Sequence, residues 1–261
     1  MMSFAFPNID PVLLHMGPLK VHWYGVAYVV GIVLGWKYAA HLIKNYLPSL
    51  DVKTFDTFIT WIIIGIVVGG RLGHVIFYDL PYYIHHPLEI LMTWRGGMSF
   101  HGGLLGVMTA TVFYCAKHRV PPLQFTDIVC AAAPIGIGFG RVANFINGEL
   151  YGTITTVPWA VEFPQGGHIP RHPTQLYEAA LEGFLLWILL FCLCRWTNLL
   201  QKPGRISGLF LLGYGIVRFL VEYVKEPDGI HSVGMILLTT GQLLSIPLVI
   251  GGLFLVSRKT D

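Results

Sequence analysis

Hydrophobic positions in this chain come in long blocks, not in strict alternation. Seven stretches hold roughly the 20 mostly apolar residues that a helix needs to cross a bilayer. They run from Trp23 to Lys44, Phe55 to Tyr78, His101 to Lys117, Thr126 to Phe145, Leu176 to Arg195, Ser207 to Val224 and Met235 to Val256. Glycines and Pro134 interrupt the third and fourth, which is tolerated where neighbouring helices satisfy the freed backbone groups. The pattern predicts an all-α integral membrane protein with about seven transmembrane helices. Connections on one side are short. Two on the other side are longer, Asp79 to Phe100 and Asn147 to Gln175, and the second reads as a small ordered cap around Trp159 to Phe163. With no repeat, low-complexity tract or linker, residues 1–261 are expected to form a single transmembrane domain, with cap or loop regions near 79–100 and 147–175.

Lysine and arginine set the expected orientation. With the N-terminus outside, the inner connections carry Lys44, Lys53, Lys117, Arg119, Arg195, Lys202, Arg205, Arg258 and Lys259. The outer ones carry only Lys20, Arg95, Arg171 and Lys225. The C-terminus is therefore expected inside. Residues 1–20 lack the cationic start and unbroken apolar run of a signal peptide, because Pro7, Asp10 and Pro11 intervene. Insertion is expected to use the internal segments.

Composition agrees with a lipid-facing exterior. The chain is 54% apolar and 12% charged, against about 25% charged in soluble domains. Its net charge of +3 is spread out and forms no basic stripe, which argues against nucleic acid as a partner. Cys115, Cys130, Cys192 and Cys194 all fall in apolar stretches and read as packing residues. No His-Glu-x-x-His, Gly-x-Ser-x-Gly or P-loop pattern occurs. His85 and His86 are adjacent, and His41, His118 and His231 are expected in loops, so no metal site emerges from ligand spacing.

Ionisable groups inside apolar segments cost about 2.5–3.5 kcal/mol each on insertion scales, so each asks for a reason. Arg141, with Asn144, Asn147 and Glu149 close behind it, ends the fourth segment. Its planar fork of donors suits a phosphate, although an arginine here can also simply reach for the interface. His101 opens the third segment beside Gly102 and Gly103. It reads either as a general base or as a packed helix start. Tyr214, Arg218 and Glu222 are spaced by four and share one stripe, either bordering a polar cavity or forming a structural ion pair. Thr174, Gln175 and Glu178 lead into the fifth segment, either as a plain helix start or with Thr174 as the cap and Gln175 or Glu178 facing a polar interior. Tyr24 lies where aromatic belts form. Gly69-Gly70-Arg71 resembles a small-residue helix contact beside a paired or snorkelling arginine.

Five blocks, in order, carry a resemblance. They are His101-Gly-Gly-Leu-Leu-Gly106, Gly140-Arg-Val-Ala-Asn-Phe-Ile-Asn-Gly-Glu149, Arg171-His-Pro-Thr-Gln-Leu-Tyr-Glu178, Arg218-Phe-Leu-Val-Glu222 and Gly241-Gln-Leu-Leu-Ser245. With them the chain resembles the phosphatidylglycerol–prolipoprotein diacylglyceryl transferases from Trp23 to Pro247. The resemblance implies a multi-pass enzyme of the bacterial inner membrane, with a periplasmic N-terminus and cap and a cytoplasmic C-terminus. Its partners would be phosphatidylglycerol, other membrane lipid and the lipobox cysteine of a prolipoprotein signal peptide, with no cofactor. It implies catalytic roles for Tyr24, His101, Arg141, Arg218 and Glu222, and lipid contacts for Arg141, Asn144, Glu149, Gly152, Tyr214 and Arg218. Thr153 and Lys225 stand where many relatives have arginine. The charge survives at 225 and is lost at 153. A transporter would also hold charged residues in a cavity, but the paired broken helices and internal symmetry it usually shows are not visible here.

Overall fold

The computed structural model describes residues 3–7, 9–16, 19–48, 50–233 and 236–258. Met235, the expected start of the last segment, and Lys259, one of the expected inner charges, lie outside the described residues. Helices α1 (Trp23–Tyr46) and α2 (Val52–Phe77) match the first two apolar stretches. A short α3 (Leu80–His85) and two 3-10 turns lead to α4 (Phe100–His118) and α5 (Pro122–Ile146). Next, α6 (Thr174–Glu178), a wider π-helical turn (Ala179–Leu185) and α7 (Leu186–Trp196) run on as one helix of 23 residues. Then come α8 (Arg205–Val221) and α9 (Thr240–Ser257).

Five helices are long and apolar enough to cross a membrane: α1, α2, α5, the Thr174–Trp196 run and α9. The chain is therefore mostly helical with several membrane-crossing candidates. The other two expected segments are helical but weaker. α8 has only 17 residues, and α4 is diluted by His101, glycines and threonines.

The expectation of an all-α chain needs amending. Strand β1 (Phe4–Ala5) has paired strands β2 (Val12–Met16) and β3 (Leu19–His22) after it. In the 147–175 connection, β4 (Val161–Glu162) runs parallel to β1 and antiparallel to β5 (Pro170–Arg171). Strands β6 (Ile230–Val233) and β7 (Ile236–Thr239) pair antiparallel. β7 takes the first apolar residues of the expected last helix, because its Ile-Leu-Leu is as apolar as α9 itself and hydropathy alone does not separate strand from helix. α9 starts at a capping box: Thr239 Oγ1 accepts from Gln242 N at 3.1 Å and Gln242 Oε1 accepts from Thr239 N at 3.0 Å. Three histidines expected in loops lie in regular elements: His41 in α1, His118 in the last turn of α4 and His231 in β6. Their segments extend beyond the apolar blocks because helices and strands continue through polar ends.

Two compact units partition the chain, residues 43–126 and residues 1–42 with 127–261. In the first, α2 and α4 touch backbone to backbone. A Cβ on Gly73 would lie 2.6 Å from Gly102 Cα, and one on Gly65 would lie 2.8 Å from the Gly106 carbonyl oxygen. This is the small-xxx-small contact that replaces hydrophobic drive between helices in lipid. An aromatic cluster of Phe55, Phe58, Tyr114 and Phe125 closes the far end, with Phe58 edge-on to Phe125 at 4.6 Å. Arg71 is buried without snorkelling. It donates to the carbonyls of Glu89, Ile90, Met92, Gly96 and Gly97, which uses its five N–H groups to hold the turn before α4.

In the other unit, α1 approaches α5 at Gly31, where a Cβ would lie 2.9 Å from Gly136 Cα. α8 packs on α9 through Gly208, Gly215 and Gly252, none of which has room for a side chain. Buried Asp127 of α5 accepts from Gly204 N, Ser207 N and Ser207 Oγ, all at 2.7 Å. A carboxylate at the N-terminus of α8 answers both its unpaired donors and its dipole.

Candidate functional site

The centre of the site is a chain of ion pairs in which part-buried arginines meet buried carboxylates that three helices bring together. Glu178 and Glu182 sit one turn apart, both 0% exposed, where α6 widens into the π-helical turn. Such bulges often mark functional positions. Arg141 comes from the C-terminal turns of α5. Its Nη1 lies 3.2 Å from Glu178 Oε2 and its Nη2 3.1 Å from Glu182 Oε2, so one guanidinium straddles two carboxylates. Gly138 and Gly183 make this possible. A Cβ on Gly183 would lie 2.6 Å from Gly138 Cα, so α5 and the carboxylate-bearing helix meet at backbone distance beside the ions.

Arg218 enters from α8. Its Nη1 pairs with Glu178 Oε1 and its Nη2 lies 2.6 Å from Glu222 Oε1. Glu222 also accepts from Thr239 Oγ1 at 2.7 Å and lies 3.7 Å from Lys225 Nζ. A Cβ on Gly241 would run into the Glu222 carboxylate, so that glycine keeps the place open. Tyr214 lies within Coulombic reach of Arg141, Arg218, Glu178 and Glu182. Ions this deep are costly unless paired, and removing one partner of a buried pair costs roughly 3–5 kcal/mol.

Above the ions lies an amide and loop layer. Asn144 Nδ2 donates to Glu149 Oε1 at 2.8 Å, and Asn147 Nδ2 donates to the same oxygen at 3.3 Å. Gln175 Nε2 donates to the Glu149 carbonyl at 2.5 Å and Thr174 Oγ1 to the Leu150 carbonyl at 3.0 Å. Thr174 therefore holds the loop and does not cap α6, whose cap residue is Pro173. Gly152 is pinned between His172 and Val224. A Cβ there would lie 2.6 Å from His172 Cβ, and its N–H donates to the His172 carbonyl at 2.8 Å. It is a close-approach position. Arg171 ties the same loop down, donating to the Gly152 carbonyl at 3.1 Å and pairing with Glu226 at 2.7 Å. Thr153 donates to the Val224 carbonyl from its hydroxyl at 3.3 Å and from its N–H at 2.9 Å. Burial lowers the proton affinity of His172, whose Nδ1 lies 3.1 Å from the Tyr177 hydroxyl.

Of the residues singled out in the sequence, Arg141, Arg218 and Glu222 thus fall in one ion cluster with Tyr214 beside it, and Asn144 and Glu149 bond to each other. Tyr24, at the exposed start of α1, lies edge-on to Tyr28, their hydroxyls 3.2 Å apart. The Tyr28 hydroxyl is within Coulombic reach of Arg141 and Glu149. His101 belongs to the 43–126 unit, exposed in the first turn of α4, where Ser99 caps the helix by accepting from Gly102 N at 3.2 Å. Glu182 was missed. Its signal was a second carboxylate four residues after Glu178 in an otherwise apolar stretch.

The prolipoprotein diacylglyceryl transferase family matches residues 11–258. The chain is 47% identical to the phosphatidylglycerol–prolipoprotein diacylglyceryl transferase of Azospirillum brasilense, covering 99% of this chain and 97% of that protein. It is 48% identical to the enzyme of the same name from Rhodospirillum rubrum, with coverages of 98% and 95%. For the one from Mesorhizobium japonicum the identity is 49%, with coverages of 97% and 91%. With a match of this extent, the chain belongs to the prolipoprotein diacylglyceryl transferase family.

Proposed function

We propose that this chain transfers the diacylglyceryl group of phosphatidylglycerol to the lipobox cysteine of a prolipoprotein, the first step of lipoprotein maturation. The observation that carries this reading is the pair Arg141 and Arg218 held on one buried carboxylate, Glu178. In the reaction the cysteine sulfur attacks the glycerol carbon. The carbon–oxygen bond to phosphate breaks, its electron pair stays on the phosphate oxygen, and glycerol phosphate leaves. Charge grows on that oxygen, and pre-positioned guanidinium groups stabilise growing charge without reorganising. The nucleophile belongs to the substrate, so the enzyme needs no nucleophilic serine or cysteine.

The remaining roles rest on chemistry. His101 accepts the thiol proton, because the thiolate is the reactive form. Arg141, Arg218, Asn144 and Tyr214 hold the phosphate and headgroup, Tyr24 and Glu222 complete the catalytic set, and Glu149 and Gly152 shape the loop over the lipid. An apolar cleft of about 300 Å³ lined by Ile216, Phe219, Leu220, Ile246, Val249 and Ile250 suits an acyl chain. Residues 1–261 act as one transmembrane domain of seven spanning helices in the bacterial inner membrane, with the N-terminus and the 147–175 cap periplasmic and the C-terminus cytoplasmic. The test is incubation of the purified protein with phosphatidylglycerol and a lipobox peptide. Mass spectrometry should find a diacylglyceryl thioether on the cysteine. An unmodified peptide, with folded protein and lipid present, would refute the reading.

A further inference from the structure

The ion cluster is already balanced. Three cations, Arg141, Arg218 and Lys225, face three buried carboxylates, Glu178, Glu182 and Glu222, while Asp228, 3.4 Å from Lys225, is exposed to water and stands outside the buried count. A phosphodiester added to such a cluster leaves a net negative charge out of water, which is costly. The carboxylates differ in how they are held. Glu178 has both oxygens against arginines. Glu222 has one oxygen on Arg218 and Lys225 and the other on Thr239. Glu182 uses Oε2 on Arg141, while its Oε1 has no hydrogen-bond partner among the described residues, and the side chain is 0% exposed. The groups facing Glu182 are Arg141 from α5, Arg218 and Tyr214 from α8, and Glu178 from its own helix. From α1, Tyr28 lies within Coulombic reach of Arg141.

We infer that the site takes up one proton, on Glu182 Oε1, when it takes up the phosphate of its lipid. The inference rests on the reading of this cluster as the lipid phosphate site. The proton comes from bulk water and adds to the orphan oxygen, and no other bond changes. Arg141 is then released from one of its two carboxylates and can turn donors to the phosphate. The cluster with its anion returns to neutrality. An orphaned buried oxygen, costly in the empty site, becomes a donor in the filled one. Lipid affinity should then fall as pH rises, since each proton lost must be regained for binding.

The experiment is calorimetric titration of the full-length protein in neutral detergent with phosphatidylglycerol, in two buffers of different ionisation enthalpy and across pH. The native protein should take up about one proton per lipid bound, and its affinity should fall by up to about tenfold per pH unit in the rising limb. Glu182→Gln should bind with no proton uptake and a flat pH profile, while Glu182→Asp should keep the uptake. Lipid binding by the native protein without proton uptake would overturn the inference and leave the phosphate site standing. Uptake that persists in Glu182→Gln would overturn the assignment to Glu182. A folded native protein that binds no phosphatidylglycerol would refute the reading of the site itself, and the inference with it.

Discussion

Arg141 and Arg218 come from different helices and take the two oxygens of one carboxylate, that of Glu178, with Arg141 Nη1 3.2 Å from Oε2 and Arg218 Nη1 on Oε1. The shared anion sets the spacing of the two guanidinium groups, and each arginine keeps a second carboxylate of its own, Glu182 or Glu222. Rigid spacing of two forked cations is what a tetrahedral phosphate requires.

Replacing either arginine by lysine should therefore lower transfer by roughly 10²–10³-fold, the usual loss for one oriented stabilising donor. A lysine keeps the charge and loses the fork. Glu178→Gln should also lower the melting temperature in detergent, because two part-buried arginines lose their common buried anion, a loss of up to roughly 3–5 kcal/mol. Peptide modification rates and thermal melts of the three variants check this. Near-native rates in both lysine variants would remove the arginines from the mechanism.

His101→Ala should slow peptide modification by roughly 10²–10⁴-fold near neutral pH, the range for loss of a general base. Raising the pH should recover part of the rate, since more substrate thiol ionises unaided. A deficit that stays constant across pH would assign His101 to holding the lipid or a neighbour.

Gly69→Leu should separate α2 from α4, because a Cβ at Gly69 already lies 2.7 Å from Gly106 Cα. Overpacking of this kind costs roughly 1–3 kcal/mol, more when backbone must move. The expected readout is a lower melting temperature and faster proteolysis of the 79–100 connection. An unchanged melt would mean that the two helices do not rely on this contact.

Burial depresses the proton affinity of His172, so the folded cap favours its neutral ring. The unfolded chain then binds more protons. The stabilisation is fully present above the unfolded value of about 6.5 and is lost as pH falls through the lower folded value. Hydrogen exchange in residues 150–173 should accelerate on acidification from neutral pH, and His172→Gln should flatten that dependence. Equal acid sensitivity in both proteins would rule this out.

Reporter fusions after Lys44 and after Lys202 should behave as cytoplasmic, given the excess of lysine and arginine in those connections. An external signal from either would reverse the orientation.

Much of this protein was readable in one dimension. Long apolar blocks reflect the bilayer's thickness, so α1, α2, α5, the Thr174–Trp196 helix and α9 could be placed from hydropathy within a few residues. Charges inside apolar stretches stood out because lipid makes them expensive, and Arg141 in α5 and Arg218 and Glu222 in and beside α8 were found that way. The pairing of Arg218 with Glu222 was local, four residues along one helix. Everything hidden depended on contacts between distant parts of the chain. Only the folded chain makes Glu178 the common partner of two arginines, because that choice is set by the meeting of Gly138 with Gly183 and not by anything near Arg141 in sequence. Glu182 was overlooked for the same reason. Its place four residues after Glu178 showed a shared helix face, but not that Arg141 of another helix pairs with both carboxylates. The small sheets escaped as well, since β1, β4 and β5 are two residues each and exist only through pairing, with β1 joined to β4 across more than 150 positions. Hydropathy reports the solvent that each segment must match. Pairing of ions and strands is a property of the packed chain, and only the tertiary structure could decide it.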